Sequence, residues 1–212
     1  MRAFPVILSS PSGGGKTAIA KGLLERRTDV GYSVSCTTRQ PRAGEVDGRE
    51  YYFYSVGEFL AARDRGEFAE WAEVHGRLYG TRRREMENVM ASGRHVLMDI
   101  DVQGAAQLRE AYPDAVSVFV LPPSASELVR RLMARKSESA ESLKTRLTSA
   151  LAELRAVKWY DYVVVNDDLG RAIGVVSGII DAESAKRHRV QDLEAQMSAL
   201  IQQLEHEIDK RS

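Results

Sequence analysis

The chain has 212 residues, and its 30 Lys and Arg are balanced by 30 Asp and Glu. This balance argues against a surface that is basic overall, so we expect neither nucleic acid nor a membrane as partner, and any recognition of anions must come from local groups of arginine. The single cysteine, Cys36, excludes an internal disulfide, and together with the lack of a signal-peptide pattern it favours a cytoplasmic location.

Strand-like and helix-like segments alternate along the chain. Apolar or β-branched runs predict strands at residues 4–8, 32–35, 50–54, 95–100, 116–121 and 162–165. Apolar residues at helical spacing predict helices at residues 16–27, 56–65, 82–91, 125–134 and 143–157. This order predicts an α/β fold in which helices cover both faces of a parallel sheet.

A glycine-rich loop, SSPSGGGKT (residues 9–17), joins the first predicted strand to the first predicted helix. Its backbone N–H groups can surround phosphate oxygens, and the N-terminal end of the helix attracts the same anion. Lys16 can neutralise the terminal phosphates, and the Thr17 hydroxyl can ligate Mg²⁺. The loop predicts a site for a nucleoside triphosphate; the alternative is a Gly/Ser-rich loop with a chance Lys-Thr pair. The loop residues predicted to bind ATP are Ser12, Gly13, Gly14, Gly15, Lys16 and Thr17.

A second group of residues predicts a phosphate site of another kind. Arg39 and Arg42 flank Pro41, and Tyr51 follows nine residues after Arg42. Two guanidinium groups on a restrained loop suit bidentate binding of a phosphate, and a tyrosine hydroxyl can complete the site. Two arginines on a loop are otherwise ordinary solvated surface, and the neighbouring phosphate loop favours the binding role.

Several stretches then occur in the order and at the spacing of a known family. They are SCTTRQPRAGE (residues 35–45), GEFAEW (66–71), YGT (79–81), DIDVQG (99–104) and VNDD (165–168). With the phosphate loop, they make residues 3–181 resemble the guanylate kinase family.

The resemblance implies an enzyme that transfers the γ-phosphoryl group of ATP to GMP, and to dGMP, with Mg²⁺. It implies a P-loop NTPase-type core with a small mixed α/β insertion and a helical lid. The corresponding ranges are the core at 1–34, 86–125 and 158–184, the GMP-binding insertion at 35–85, the lid at 126–157 and a C-terminal extension at 185–212.

The acidic residues of these motifs fit recognition of guanine. Guanine presents N1–H and N2–H donors beside its O6 acceptor, and one carboxylate can accept both donors, whereas adenine has no N1–H. The resemblance assigns this contact to Glu70 and Asp101 and the O6 contact to Ser35. For Glu70 the alternative is a solvated charge, while Asp101 follows an apolar strand, where open α/β sheets bind ligands. The other GMP contacts that the resemblance implies are Arg39, Arg42, Tyr51, Tyr79 and Thr81.

The donor side follows from the same motifs. Asp99 closes an apolar strand and, with Thr17, is expected to hold Mg²⁺ through water. Asn166 resembles the residue that reads the adenine of ATP, and the alternative is a helix cap. Helical arginines are ordinarily solvated surface, so the roles of the lid arginines rest on the resemblance. The cations expected to take part in transfer are Lys16, Arg39, Arg131, Arg135 and Arg146.

Two residues depart from the family pattern. Ser10 replaces the first glycine of the phosphate loop, and Lys136 stands where the family prefers glycine. Two other functions remain open. One is a non-catalytic guanylate-kinase-like module that binds phosphorylated peptides, although such modules lack an intact Lys-Thr pair. The other is a kinase of the same lineage that acts on a sugar phosphate, against which the carboxylates argue.

The tail beyond residue 189 predicts an amphipathic helix. Its apolar residues, Leu193, Met197, Leu200, Leu204 and Ile208, follow a spacing of three and four. This helix can pair with a second copy in a homodimer or pack back on the core, and we favour self-association.

Overall fold

The computed structural model describes residues 2–74, 76–134 and 140–211, and for residues 140–142 it describes the backbone alone. Arg135 and Lys136, on which two of the expectations above depend, lie outside the described residues. The strands are β1 (Pro5–Ser9), β2 (Val30–Tyr32), β3 (Cys36–Thr37), β4 (Tyr52–Phe53), β5 (Phe68–Val74), β6 (Arg77–Arg82), β7 (His95–Asp99), β8 (Val116–Leu121) and β9 (Tyr162–Val165). The helices are α1 (Lys16–Arg26), α2 (Val56–Asp64), α3 (Arg83–Ala91), α4 (Val102–Ala111), α5 (Ala125–Met133), α6 (Ala140–Arg155), α7 (Leu169–Ser184) and α8 (Leu193–Asp209).

The larger sheet is parallel throughout and has the order β2-β7-β1-β8-β9. Alternate residues of a strand face opposite sides. In β1, Val6 and Leu8 pack in the cluster that α1 and α7 complete, while Ile7 packs with residues of α3 and α4. Because both faces are covered, the strands are apolar at nearly every position. The prediction of a parallel sheet with helices on both faces is confirmed.

A smaller mixed sheet, with the order β4-β3-β6-β5, lies in the insertion between β2 and α3. The predicted strand at 32–35 is wrong: β2 ends at Tyr32, and the chain leaves the large sheet to begin β3 at Cys36. The antiparallel pair β5 and β6 was not predicted, because the buried Glu70 interrupts the apolar pattern of β5. Cys36, Phe59 and Phe68 form a separate small core for this insertion.

Helices α5 and α6 form a third packing unit. Leu128, Leu132 and Ala150 are buried together between them. Ser124 caps α5 by accepting a hydrogen bond from the Glu127 N–H. This pair covers the phosphate loop, because a Cβ added at Gly13 would lie in contact with Leu132.

The tail is fixed to the core up to Arg189. The buried guanidinium of Arg189 donates to the Asp114 carbonyl at 2.9 Å and lies 4.0 Å from the centre of the Phe4 ring. Beyond it, α8 buries none of its residues, so it does not pack back on the core. Among the described residues, no helix has the length and apolar character needed to span a membrane.

Candidate functional site

The phosphate loop follows the carboxyl end of β1, where ligands of open parallel sheets bind. Gly13 and Gly15 have φ values of 85° and 100°, which glycine adopts readily and other residues rarely do. A side chain at Gly15 would also collide with the Asn166 amide. Helix α1 begins at Lys16, so its free N–H groups and its dipole point into the loop. The loop can therefore surround an anion.

Ser10, which replaces the usual first glycine, is accommodated by the loop. Its side chain is buried, and its hydroxyl donates to the Pro11 carbonyl at 3.0 Å. It lies against Gly14, where a Cβ would come too close to Ser10. The Gly14 N–H still closes the turn onto the Pro11 carbonyl at 2.8 Å. The absence of a side chain at Gly14 thus makes room for the serine.

Thr17 and Asp99, the two residues predicted to hold Mg²⁺, are in contact. The Thr17 hydroxyl donates to Asp99 Oδ2 at 2.7 Å, because β1 and β7 are neighbours and both end at this edge. A hydroxyl and a carboxylate are oxygen ligands of the kind that Mg²⁺ prefers, so the pair fits the cation. Lys16 is half-buried beside them, and no ion pair is seen for its ammonium group in the described part of the chain.

Two predicted lid arginines reach the phosphate loop. Arg131 donates to the Gly14 carbonyl at 3.3 Å and to the Asn166 carbonyl at 3.1 Å. Arg146 donates to the Ser12 hydroxyl at 3.1 Å. Both helices of the pair thus place a cation at the loop, while the third predicted arginine, Arg135, is outside the described residues.

Asn166 also contacts the loop and is not a helix cap. It is buried, and its side-chain amide donates to the Gly14 carbonyl at 2.9 Å. The cap of α7 is Asp168, whose carboxylate accepts from the Arg171 N–H. The helix-cap interpretation of Asn166 is therefore wrong, because Asn166 lies two residues before the cap position.

The residues predicted to bind the acceptor phosphate lie on the loop that joins β3 to β4 and on β6 of the smaller sheet. The Arg39 guanidinium pairs with Glu45 at 2.9 Å and lies 5.3 Å from the centre of the Tyr51 ring. The rings of Tyr51 and Tyr79 meet edge to face with their centres 6.0 Å apart. The side chain of Arg42 is exposed, and its backbone N–H donates to Glu45. In this structure the Arg39 guanidinium is therefore paired with Glu45, a residue for which no role of its own was predicted.

The predicted guanine-reading carboxylates are neighbours, but their environments differ. Glu70 is 4% exposed and accepts a hydrogen bond from the buried Thr81 hydroxyl at 2.5 Å. Asp101 is half-buried and caps α4, because its Oδ1 accepts from the N–H groups of Gln103 and Gly104. A Cβ at Gly104 would collide with Glu70, so the carboxylate lies directly on the first turn of α4.

Burial raises the pKa of the Glu70 carboxyl to about 7. The hydrogen bond from Thr81 opposes this shift, and the nearby charge of Asp101 adds to it. Ser35, the third predicted guanine contact, is half-buried just before β3, and its carbonyl accepts from the Tyr52 N–H. A base that donates two hydrogen bonds to Glu70 would favour the ionised carboxylate.

One predicted acceptor residue, Tyr51, lies near one predicted metal ligand, Asp99. Burial raises the pKa of Tyr51 to about 12, and the charge of Asp99 contributes to that increase, so Tyr51 lies within the field of the predicted metal ligand. Two residues that contact this site, Tyr32 and Glu153, were not predicted from the sequence. Tyr32 donates to Asp99 at 2.5 Å, and the Glu153 carboxylate accepts from the Ser12 N–H at 3.0 Å. For Tyr32 no signal was available, because the predicted strand began at this residue, whereas β2 ends at it.

Replacing Glu70 by Gln is expected to flatten the pH dependence of stability. The folded chain holds the Glu70 proton up to about pH 7, whereas an ordinary glutamate has a pKa of 4.5. The stabilisation from this proton is therefore complete at low pH and is lost as the pH rises through about 7. We expect the wild-type chain to lose on the order of 2 to 3 kcal/mol of unfolding free energy over this interval, and Glu70→Gln to lose much less.

Urea unfolding between about pH 5 and pH 8 measures this difference. Glu73→Gln, at an exposed position of the same strand, is the matched control and should keep the wild-type slope. An equally steep slope in Glu70→Gln would contradict the assignment.

Comparison with known proteins agrees with this geometry. The family model described as "Guanylate kinase" matches residues 2–183. The guanylate kinase of Geobacter metallireducens is 48% identical over 184 residues, which cover 87% of this chain and 91% of the relative. That of Aromatoleum aromaticum is 50% identical over 177 residues, covering 84% and 87%. The crystal structure of guanylate kinase from Anaplasma phagocytophilum has a TM-score of 0.78 at 36% identity, covering 93% of this chain and 94% of that one. The chain belongs to the guanylate kinase family.

Proposed function

We propose that this guanylate kinase, which phosphorylates GMP with ATP, divides the reaction between the two groups of residues described above. The phosphate loop, residues 12–17, binds the triphosphate of ATP. Its N–H groups and Lys16 neutralise the β- and γ-phosphates, and Asn166 contacts the adenine. The observation that carries the proposal is the position of this loop, Asp99 and Asp101 at the carboxyl edge of the parallel sheet, with the Glu70 carboxylate of the insertion against the first turn of α4 near Asp101.

GMP binds on the insertion at residues 35–85. Arg39, Arg42, Tyr51 and Tyr79 hold its phosphate, so Arg39 must exchange Glu45 for the phosphate when GMP enters. Charge-assisted hydrogen bonds from a guanidinium to a phosphate are strong enough for this exchange. The approach of Tyr51 to Asp99 supports a phosphate position that faces the donor.

The guanine base is read by Glu70, Asp101 and Ser35, with Thr81 orienting Glu70. Glu70 accepts from N1–H and N2–H, while the free lone pairs of Asp101 and the Ser35 hydroxyl complete the Watson–Crick edge. Adenine would leave a buried carboxylate without its donors, and such a loss is costly in a desolvated site. The site therefore discriminates between the purines by hydrogen bonding.

Thr17 and Asp99 are the residues that would hold Mg²⁺. When bound, the cation supplies charge neutralisation between the β- and γ-phosphates. The chain itself orients the two nucleotides for in-line transfer, since phosphoryl transfer needs positioning and charge stabilisation more than covalent chemistry.

The helical lid at residues 126–157 completes the site. Arg131 and Arg146 already contact the phosphate loop from the two sides of this unit, and we assign them, with Arg135, to the charge that develops on the transferred group. Closure of the lid excludes water, which would otherwise hydrolyse ATP.

A non-catalytic module that binds phosphorylated peptides is the competing function. The intact loop, with Lys16 and Thr17 in place and Thr17 bonded to Asp99, favours the enzyme. The relatives that match the chain over most of its length are also named guanylate kinases. Calorimetric titration with a non-hydrolysable ATP analogue separates the two functions, because a module of this kind would not bind it.

The acceptor specificity follows from the base site. We expect GDP and ADP to form from GMP, ATP and Mg²⁺, with kcat/KM for AMP lower by roughly a thousandfold or more. A coupled assay of ADP formation with GMP, dGMP, AMP and CMP measures this. Comparable rates with AMP, CMP and GMP would disprove base reading by Glu70 and Asp101.

Lys16→Ala is expected to reduce kcat by about a hundred- to a thousandfold, since it removes a cation from the transferred phosphate. Circular dichroism should show an unchanged fold, because Lys16 is not a core residue. Lys21→Ala, at an exposed position of the same helix, is the control and should retain activity. Substantial turnover by Lys16→Ala would contradict the role of the lysine.

We also propose that α8 joins two copies of the chain. The spacing of its apolar residues is the same when counted from either end of the helix. In an antiparallel pair, Leu193 therefore meets Ile208, Met197 meets Leu204, and Leu200 meets Ile201 of the second copy; Leu193 is half-buried and the others are exposed. A stripe that matches its own reverse suits a twofold interface, in which each contact occurs twice. Burial of about six apolar residues per copy gives such a pair its stability.

Sedimentation of the double variant Leu200→Gln/Leu204→Gln tests this pairing. We expect the wild-type chain to be a dimer and the variant to be a monomer with unchanged secondary structure. Gln202→Glu, on the opposite face of α8, should remain a dimer. If the double variant and the wild-type chain have the same oligomeric state, the pairing is wrong.

A further inference from the structure

Tyr32 lies at the carboxyl end of β2, next to β7. The two strands are parallel, with Tyr32 opposite Leu97, so Tyr32 stands two residues behind Asp99. The Ser33 N–H continues the ladder by donating to the Leu97 carbonyl at 3.1 Å. Side chains in strands lean along the strand direction, and a tyrosine is long enough to span two residues of strand. The sheet therefore directs the phenol towards the Asp99 carboxylate.

The Asp99 carboxylate is held at both of its oxygens. The Tyr32 hydroxyl donates to Oδ1 at 2.5 Å, and the Thr17 hydroxyl donates to Oδ2 at 2.7 Å. An ionised carboxylate can only accept hydrogen bonds, so the Tyr32 hydroxyl is the donor in this pair.

We propose that Tyr32 is a positioning residue for the metal centre, which fixes the plane of the Asp99 carboxylate so that its remaining lone pairs point at the water shell of Mg²⁺. This inference rests on the proposed metal site of Thr17 and Asp99. A carboxylate held at one oxygen can still rotate about its Cβ–Cγ bond, whereas donors on both oxygens determine its orientation. No motif of the family resemblance includes Tyr32, so its role comes from the strand register.

The orientation matters because the cation is held through water. An outer-shell carboxylate acts by accepting hydrogen bonds from metal-bound water, and these bonds depend on direction. Loss of partners that orient metal ligands typically weakens metal binding by about 10- to 100-fold, and less when the ligand is indirect. Removal of the Tyr32 hydroxyl should therefore weaken metal binding without changing the binding of the nucleotide alone.

The test is Mn²⁺ binding to the complex of the full chain with ADP, measured by electron paramagnetic resonance, which does not depend on turnover. We expect Tyr32→Phe to weaken Mn²⁺ binding by about three- to tenfold, and the affinity for ADP in the presence of EDTA to equal that of the wild-type chain. The unchanged ADP affinity also reports that the variant is folded. Tyr162→Phe is the matched control, because Tyr162 lies on β9 of the same sheet and its hydroxyl donates to a carboxylate, Glu183 of α7, at 2.5 Å; this variant should leave Mn²⁺ binding unchanged.

Asp99→Ala distinguishes failure of this inference from failure of the metal site. If Asp99→Ala weakens Mn²⁺ binding and Tyr32→Phe does not, Asp99 holds the metal without help from Tyr32, and the inference is overturned. If Asp99→Ala has no effect, the proposed metal site and this inference are both overturned. If Tyr32→Phe weakens ADP binding without metal to the same extent, the hydroxyl has a general structural role, and the inference is overturned.

Discussion

The parallel pairing of β1, β7 and β2 is the constraint on which the site depends. Because the three strands run the same way, their carboxyl ends lie at one edge of the sheet and bring Thr17, Asp99 and Tyr32 together from distant parts of the chain. The side chains of that edge are polar, while the strands behind them are buried on both faces. A rigid apolar sheet thus positions a small set of hydroxyl and carboxylate groups, as expected of a site built on regular elements.

In the phosphate loop, three consecutive glycines allow neighbouring groups to pack closely because they have no side chains. Gly13, Gly14 and Gly15 leave room for α5, for Ser10 and for Asn166 respectively. A side chain at any of them would displace a neighbour as well as crowd a phosphate. The same glycines therefore serve the packing of the loop against the rest of the protein and the binding of the anion.

The insertion contains a buried carboxylate, that of Glu70. Glu70 lies on a strand of the smaller sheet but rests on α4 of the core, where Gln107 holds the neighbouring Trp71 backbone through two hydrogen bonds. Burial of the carboxylate costs stability near neutral pH, and the raised pKa measures that cost. In the proposed role of Glu70, this desolvated acceptor rejects adenine, and the lower stability near neutral pH accompanies that selectivity.

The sequence by itself determined the class of the fold, the phosphate loop, the family and the apolar stripe of α8, since each depends on local spacing or on ordered motifs, whereas the exposure of that stripe came from the structure. Strands 116–121 and 162–165 were predicted at their observed limits, because both are nearly continuous apolar runs rich in β-branched residues, although Val163 and Val165 of the edge strand β9 are exposed. Tertiary structure alone decided the contacts that join distant segments. The hydrogen bond from Tyr32 to Asp99 depends on the register of two strands, and the burial of Glu70 depends on a helix, α4, that begins only at Val102. No local pattern encodes such contacts, because hydrogen bonding and desolvation depend on which groups meet in space.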